Sequence, residues 1–287
     1  VTLPLEPVTV TRAVLLAHPA AHSLSPVMHD AAFAALGLDG RYEAWDVPPS
    51  ELPAALERLR TSSTLFGANI SVPHKLAVLP LLDEVSAEAH RLGAVNTIVR
   101  RGRRLLGHNT DAAGLAAALR ELERPLVPGR AVVLGAGGAA RAAVAVFLDG
   151  GCSVLVHNRS AERAAALVRA WRGAGDVAVV DAERLPAAVA RADWLVNATS
   201  VGMVGGPAGS PLPASVLPER GVVVDLVYGP TPTPLLVAAR AAGLATQDGR
   251  AMLVHQGAAA FTAWTGHQAP LAVMGEVLEQ ALSARAA

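Results

Sequence analysis

Cysteine and lysine are almost absent from this chain of 287 residues, which holds one of each, Cys152 and Lys75. A lone cysteine excludes an internal disulfide and a cysteine-rich metal centre, and it fits a reducing compartment. The nine histidines contain no HExxH pair, so no metal site is expected. Basic and acidic residues balance at 24 each. The basic ones are dispersed, apart from Arg100, Arg101, Arg103 and Arg104 around Gly102, which reads as a hairpin turn, so nucleic acid is not an expected partner. No apolar run of about 18 residues is free of charge, since the longest candidate, 131–148, is broken by Arg141 and three glycines. The amino terminus lacks the basic start and apolar core of a signal peptide. The expectation is a soluble cytoplasmic protein with no membrane partner, either a monomer or a homodimer.

Lysine's scarcity makes the remaining one informative. The other 23 basic residues are arginines, which stay charged at any working pH. A lysine ammonium, near about 10.4 when unperturbed, can be moved toward neutrality and can exchange a proton. Lys75 is therefore a candidate acid/base, and it stands in the polar run Asn69-Ile70-Ser71-Val72-Pro73-His74-Lys75.

An apolar fraction of 52% is ample for buried cores in a chain of this length. Short runs rich in Val, Leu and Ile, at 10–17, 42–47, 65–70, 94–99, 131–134, 154–157, 177–180, 194–197 and 222–226, alternate with Ala-rich helical stretches. That alternation predicts an α/β fold with mostly parallel sheets. So many strands exceed one comfortable open sheet, and the spacer 123–130 stands before the most glycine-rich motif, so the chain divides into two domains there. A helix is predicted over 111–122 with Thr110 or Asp111 at its cap. Helical tracts at 250–264 and 271–284, with no strand after them, are expected to pack back on the first domain.

The run 131–134 leads through Gly135, Ala136, Gly137, Gly138 and Ala139 into an apolar helix. Gly135 permits a tight turn, Gly137 lets backbone approach a pyrophosphate, and the helix amino terminus presents unpaired N–H groups. An acidic residue would be expected at the end of the second strand if the ligand were NAD. Asn158, Arg159 and Ser160 stand there instead, with Arg163 one turn on, which favours the 2′-phosphate of NADP.

Further polar groups gather at strand ends in the first half: Ser23 and Ser25 in His22-Ser23-Leu24-Ser25-Pro26, the Asn69–Lys75 run, Asn96 and Thr97, and Asn109, Thr110 and Asp111. Pro26 suits the first position of a helix and Ser25 its cap, which leaves Ser23 for a polyol or carboxylate ligand. The carboxyl ends of parallel strands are where such folds bind ligands.

These motifs, together with Asn197-Ala198-Thr199-Ser200, Asp225-Leu226-Val227-Tyr228, Asp248-Gly249 and Met252-Leu253-Val254-His255-Gln256, give the chain a resemblance to the shikimate dehydrogenase family over about residues 12–280. The resemblance implies reversible NADPH-dependent reduction of 3-dehydroshikimate to shikimate, in the pathway to aromatic amino acids. It implies a substrate-binding α/β domain, residues 1–110 completed by the helices of 247–287, and a Rossmann NADP domain over 111–246. It places Ser23, Ser25, Asn69, Ser71, Asn96 and Gln256 around the substrate, Tyr228 beside substrate and nicotinamide, and Lys75 with Asp111 as the catalytic pair. Thr199, Gly249 and Met252 join the glycine loop and Asn158–Arg163 on the cofactor. Ser71 stands where Thr is usual in the family, His74 where Phe is frequent, Asp30 where Asn is frequent, and Ala17-His18-Pro19 replaces a Gly-x-Pro turn. A quinate or quinate/shikimate enzyme using NAD is the nearest alternative, and a non-catalytic NADP binder or a lysine Schiff-base enzyme the others.

Overall fold

Strands form where the β-branched runs stand, in a computed structural model that describes residues 11–122 and 126–286. Residue 10 of the first expected strand and residues 123–125 of the spacer lie outside the described residues. Two compact units result, one from the described residues up to Thr110 together with Leu253–Arg285, the other from Asp111–Met252.

The first unit contains β1 (Thr11–Ala17), β2 (Gly40–Asp46), β3 (Leu65–Ile70), β4 (Glu84–Val85), β5 (Thr97–Arg101) and β6 (Arg104–His108). They pair in the order β2-β1-β3-β5-β6-β4. β1, β2 and β3 are parallel, whereas β5 runs antiparallel to β3 and to β6. The sheet is thus mixed where mostly parallel pairing was expected. Part of the reason is the turn at Gly102, with φ of 61°, which folds β6 straight back along β5.

Side chains alternate across β1 as strand geometry requires. Val14 and Leu16 join Leu52, Leu56 and Leu59 of α2 (Leu52–Thr61) in one core. Ala13, Leu15 and Ala17 join Ala260 and Trp264 of α9 (Arg250–Thr265) in another. Trp264 sits over Gly67 of β3, and its indole N–H donates to the Ile98 carbonyl at 2.9 Å. A Cβ on Gly67 would run into the indole nitrogen and lie 2.6 Å from that carbonyl oxygen. Gly67→Ala is therefore expected to cost about 3 kcal/mol through overpacking and the lost hydrogen bond, read as a lower urea midpoint; an unchanged midpoint would show that the seat of Trp264 tolerates a methyl group. This seat also sets the axial position of α9. Gln256, eight residues earlier and so roughly 12 Å along the helix, is delivered to the end of the sheet where β3 finishes.

The second unit contains β7 (Arg130–Leu134), β8 (Ser153–His157), β9 (Val177–Val179), β10 (Trp194–Asn197), β11 (Val222–Asp225) and β12 (Ala245–Gln247). All pairs are parallel, in the order β12-β11-β10-β7-β8-β9. Numbered within the unit and read from the β9 edge, this is 3-2-1-4-5-6, the order of dinucleotide-binding domains, with its reversal between β7 and β10. The central strands are buried throughout, as a sheet covered on both faces demands. The helix after β7, α5 (Gly138–Asp149), is mostly buried alanine and valine, small enough to lie close on the sheet. Among the described residues no helix is long and apolar enough to cross a membrane.

Candidate active site

In the first unit the polar groups gather at the carboxyl ends of β1 and β3 and at the start of β5. β3 ends in Asn69 and Ile70, and the chain then turns through residues 71–78. The turn is tied down on three sides. Ser71 N–H donates to the Leu16 carbonyl at 3.0 Å, His74 N–H to the Ser71 carbonyl at 2.7 Å, and Val95 N–H to the Lys75 carbonyl at 2.8 Å. Buried His74 adds an Nε2 contact to the Val47 carbonyl at 2.7 Å; a carbonyl only accepts, so Nε2 carries the proton. Lys75 thus rises, half-buried, from a rigid root. His74, unassigned on sequence grounds, anchors the turn that presents the lysine.

Asn96 is the hub beside it, with 1% exposure. Its Oδ1 accepts the Thr110 N–H at 2.7 Å and the Thr97 hydroxyl at 3.0 Å. Its Nδ2 donates to Thr110 Oγ1 at 2.8 Å and to Gln256 Oε1 at 3.2 Å. Lys75 and Thr110 therefore hang on the consecutive residues Val95 and Asn96, and Asp111, 2% exposed, follows Thr110 as the first residue of α4 (Asp111–Arg120). Asn69 lies one strand over. Its Oδ1 accepts the Tyr42 hydroxyl at 2.7 Å, and its Nδ2 donates to the Asn96 carbonyl and to Thr97 Oγ1, each at 3.1 Å.

The serines exchange the roles expected of them. α1 (Ser25–Ala35) has Leu24 in the cap position with no side-chain cap bond, and it is Ser23 Oγ that accepts the Ser25 N–H, at 3.2 Å. Ser25 is buried. The loop that leads to them, where alanine replaces the resembling family's glycine, is held by Asp46. Its carboxylate accepts the Ala20 N–H at 3.1 Å and faces His18 Nδ1 at 3.0 Å. His18 N–H also donates to the Val72 carbonyl at 2.9 Å, joining the serine loop to the lysine turn.

In the second unit the glycine loop closes β7 onto α5. Gly135 has φ of 117°, and a Cβ there would lie 2.9 Å from the Ala198 carbonyl oxygen after β10, so only glycine fits. Around Gly137 a Cβ would meet nothing within 4 Å, which leaves its backbone and the first N–H groups of α5 open to a ligand; Ala136 and Gly138 are buried beside it and Ala139 is half-buried. After β8, Asn158 Nδ2 donates to the Ser160 carbonyl at 3.0 Å, and Ser160 Oγ caps α6 (Ala161–Ala170) by accepting the Arg163 N–H at 3.3 Å. Arg159 and Arg163 are exposed, and neither has an ion-pair partner among the described residues. Two uncommitted guanidiniums next to an open helix amino terminus suit an anionic nucleotide.

Beyond the glycine loop, the ends of β10 and β11 are clamped together. Asn197 and Asp225 are register partners, and the Asp225 carboxylate accepts Asn197 Nδ2 at 2.8 Å, the Thr233 hydroxyl at 2.6 Å and the Val227 N–H at 3.1 Å. Burial pushes the Asp225 carboxyl above the usual range against the pull of these bonds. The Thr199 hydroxyl donates to Asn197 Oδ1 at 2.7 Å, so Thr199 and half-buried Tyr228 leave one polar clamp on either side. Gly249 lies against the Leu226 backbone, whose carbonyl carbon would be 2.7 Å from a Cβ, and Met252 is buried. Asp225 was legible only as a motif residue; its signal was a polar residue ending an all-valine strand.

Three family models match in succession: the shikimate dehydrogenase substrate binding domain over residues 15–98, shikimate / quinate 5-dehydrogenase over 117–203, and the shikimate 5′-dehydrogenase C-terminal domain over 249–279. A relative from Moorella thermoacetica, a shikimate dehydrogenase (NADP(+)), is 47% identical over 276 residues, 94% of this chain and 93% of its own length. The crystal structure of shikimate 5-dehydrogenase from Thermus thermophilus in complex with NADP(H) and shikimate is 45% identical, with a TM-score of 0.84 over 94% of this chain and 99% of that one. Quinate dehydrogenase from Corynebacterium glutamicum in complex with NAD is 34% identical, with a TM-score of 0.84 over 95% and 99%. With one order of motifs, one succession of matching models and relatives this similar over nearly its whole length, the chain belongs to the shikimate dehydrogenase family.

Proposed function

We propose that this chain catalyses the reversible NADPH-dependent reduction of 3-dehydroshikimate to shikimate, with Lys75 as the acid/base and Asp111 as its partner. The observation that carries the reading is the rooting of the only lysine beside Asn96, whose carboxamide is already bonded to Thr110 and Gln256. A polyhydroxylated acid needs several fixed donors and acceptors around one group able to move a proton, and these residues supply both. Bound NADPH supplies the hydride that reaches the substrate carbonyl carbon. Lys75 Nζ gives its proton to the carbonyl oxygen as that oxygen becomes a hydroxyl, and takes a proton from it in the reverse direction. Asp111 orients Lys75 and accepts the adjacent hydroxyl. Ser23 and Ser25 are the hydroxyl donors for the carboxylate end of the substrate, and Ser71 adds a hydroxyl to the pocket lining.

For the cofactor, the open backbone at Gly137 and the α5 amino terminus hold the pyrophosphate, while Arg159 and Arg163 pair the 2′-phosphate. Tyr228, Thr199, Gly249 and Met252 complete the nicotinamide side. The reading includes a cytoplasmic location, to which one unpaired cysteine, Cys152, is suited.

The test is an initial-rate assay at the nicotinamide absorbance band with shikimate or quinate and NADP or NAD in all four pairings. Turnover is expected with shikimate and NADP, and Arg159→Ala is expected to raise the NADP KM by about tenfold or more through the lost charged pair while leaving the NAD rate unchanged. Activity led by NAD or by quinate would move the assignment to the broader relatives, and no turnover in any pairing would leave only a nucleotide-binding role.

A further inference from the structure

The polar groups of the first unit form one directed chain of hydrogen bonds whose head, on β2, lies two strands from its second member, on β3. Tyr42 donates to Asn69 Oδ1 at 2.7 Å, Asn69 Nδ2 to Thr97 Oγ1 at 3.1 Å, Thr97 Oγ1 to Asn96 Oδ1 at 3.0 Å, and Asn96 Nδ2 to Gln256 Oε1 at 3.2 Å. Each residue passes its hydrogen to the next, so the chain braces the Asn96 carboxamide from the Tyr42 side while the Thr110 N–H holds it from the other. Tyr42 starts the chain, and it is no part of any motif by which the sequence was read.

Register explains how Tyr42 reaches so far. In the β2-β1-β3 order Tyr42 lies level with Ala13 of β1, and Asn69 lies level with Leu15, two residues along on the same face. The methyl group of Ala13 leaves room for the phenol to cross β1 and present its oxygen to β3. The ring is held in that pose by a stack on His29, with centroids 4.3 Å apart and planes 15° apart, and by Trp264 at 6.1 Å. Tyr42 is 3% exposed, and its hydroxyl is directed at a side chain of β3. That hydroxyl donates to Asn69 Oδ1, and both amide hydrogens of Asn69 are directed at protein groups.

We infer that Tyr42 is a positioning residue of the substrate pocket, acting through Asn69 and Thr97 to fix the Asn96 carboxamide and Gln256 in the geometry that receives the substrate. The inference rests on the assignment of this pocket to shikimate. Asn69 accordingly acts from behind the pocket wall, as the link between Tyr42 and Asn96. Without the phenol hydrogen, Asn69 Oδ1 loses its donor, and the path through Asn69 and Thr97 no longer braces the Asn96 carboxamide.

Tyr42→Phe removes that hydrogen and keeps the stack on His29. The expected result is a rise of about tenfold in the shikimate KM, the worth of roughly one buried hydrogen bond, with kcat within about threefold and the NADP KM unchanged. The same substitution in an Asn69→Ala background is expected to add nothing further, because the path through Asn69 is already cut. A wild type that turns over shikimate beside a Tyr42→Phe variant with unchanged KM overturns the inference. So does a variant in which shikimate and NADP KM rise together with a fall in melting temperature, the pattern of a general packing defect. If Asn69→Ala does not fold, the split between the two KM values still decides. A wild type that binds and turns over NADP with another acid but not with shikimate overturns the pocket assignment itself, and this inference falls with it.

Discussion

Lys75→Arg is expected to lower turnover by roughly 10²- to 10⁴-fold while leaving both KM values within a few-fold. The substitution keeps a positive charge and a set of donors at the same root, which the Val95 bond to the Lys75 carbonyl and the His74 bond to Val47 hold in place. Electrostatic attraction for a nascent alkoxide therefore survives. What disappears is the capacity to give up and recover a proton, since a guanidinium stays protonated at every pH at which the fold persists. An acid/base role thus predicts a loss in kcat, whereas a purely electrostatic role predicts near wild-type turnover, and single-turnover hydride transfer followed at the nicotinamide band separates the two. Composition helps a second check. With no other lysine in the chain, an amine-directed reagent has one side chain to attack, and shikimate is expected to slow the resulting loss of activity. Inactivation at the same rate with and without saturating shikimate would remove Lys75 from the substrate pocket.

The features that were legible in the sequence share a physical character. The runs at 65–70 and 194–197 match β3 and β10 residue for residue, because each is a short, mainly apolar run with polar residues at or beside its ends, as a buried strand of a covered sheet requires. The strands not anticipated, β4, β6 and β12, are short or carry arginine and glycine, as in Arg104–His108. β4 and β12 exist because a neighbour offers them an edge, which no local pattern encodes, whereas β6 was signalled only by the hairpin turn at Gly102. Lys75 stood out through rarity and the glycine loop through the φ that Gly135 must adopt. Tyr42 did not stand out, because its partner Asn69 is 27 positions away and a tyrosine inside a strand reads as core. The exchange of roles between Ser23 and Ser25 has a similar cause. A helix start shifted by one residue changes which hydroxyl faces a free N–H, and sequence does not fix a cap to that accuracy.

The buried aromatic group that supports Tyr42 also sets how the protein responds to acid. His29 is fully buried, stacked on Tyr42 and tilted against Trp264 at 5.4 Å, and neither ring nitrogen has a hydrogen-bond partner among the described residues. Burial alone pushes its pKa from 6.5 down to about 3, because no neighbouring charge compensates an imidazolium in that apolar cluster. The folded pKa lies below the unfolded one, so between pH 6.5 and 3 the unfolded chain binds the proton that the folded chain refuses. Stability from this group is complete above pH 6.5 and declines as pH falls, by about 1.4 kcal/mol per pH unit and on the order of 4–5 kcal/mol in all. His29→Phe keeps a ring on Tyr42 and removes the titration. Its stability, measured by urea unfolding from pH 8 to pH 4.5, is expected to fall less steeply than that of the wild type by the equivalent of one proton below pH 6.5. At pH 7 the variant is expected to match or exceed the wild type, since two desolvated nitrogens give way to carbon. Parallel stability curves for the two proteins would mean that His29 takes up its proton in the folded state, through a partner that the packing of Tyr42, Phe261 and Trp264 does not provide.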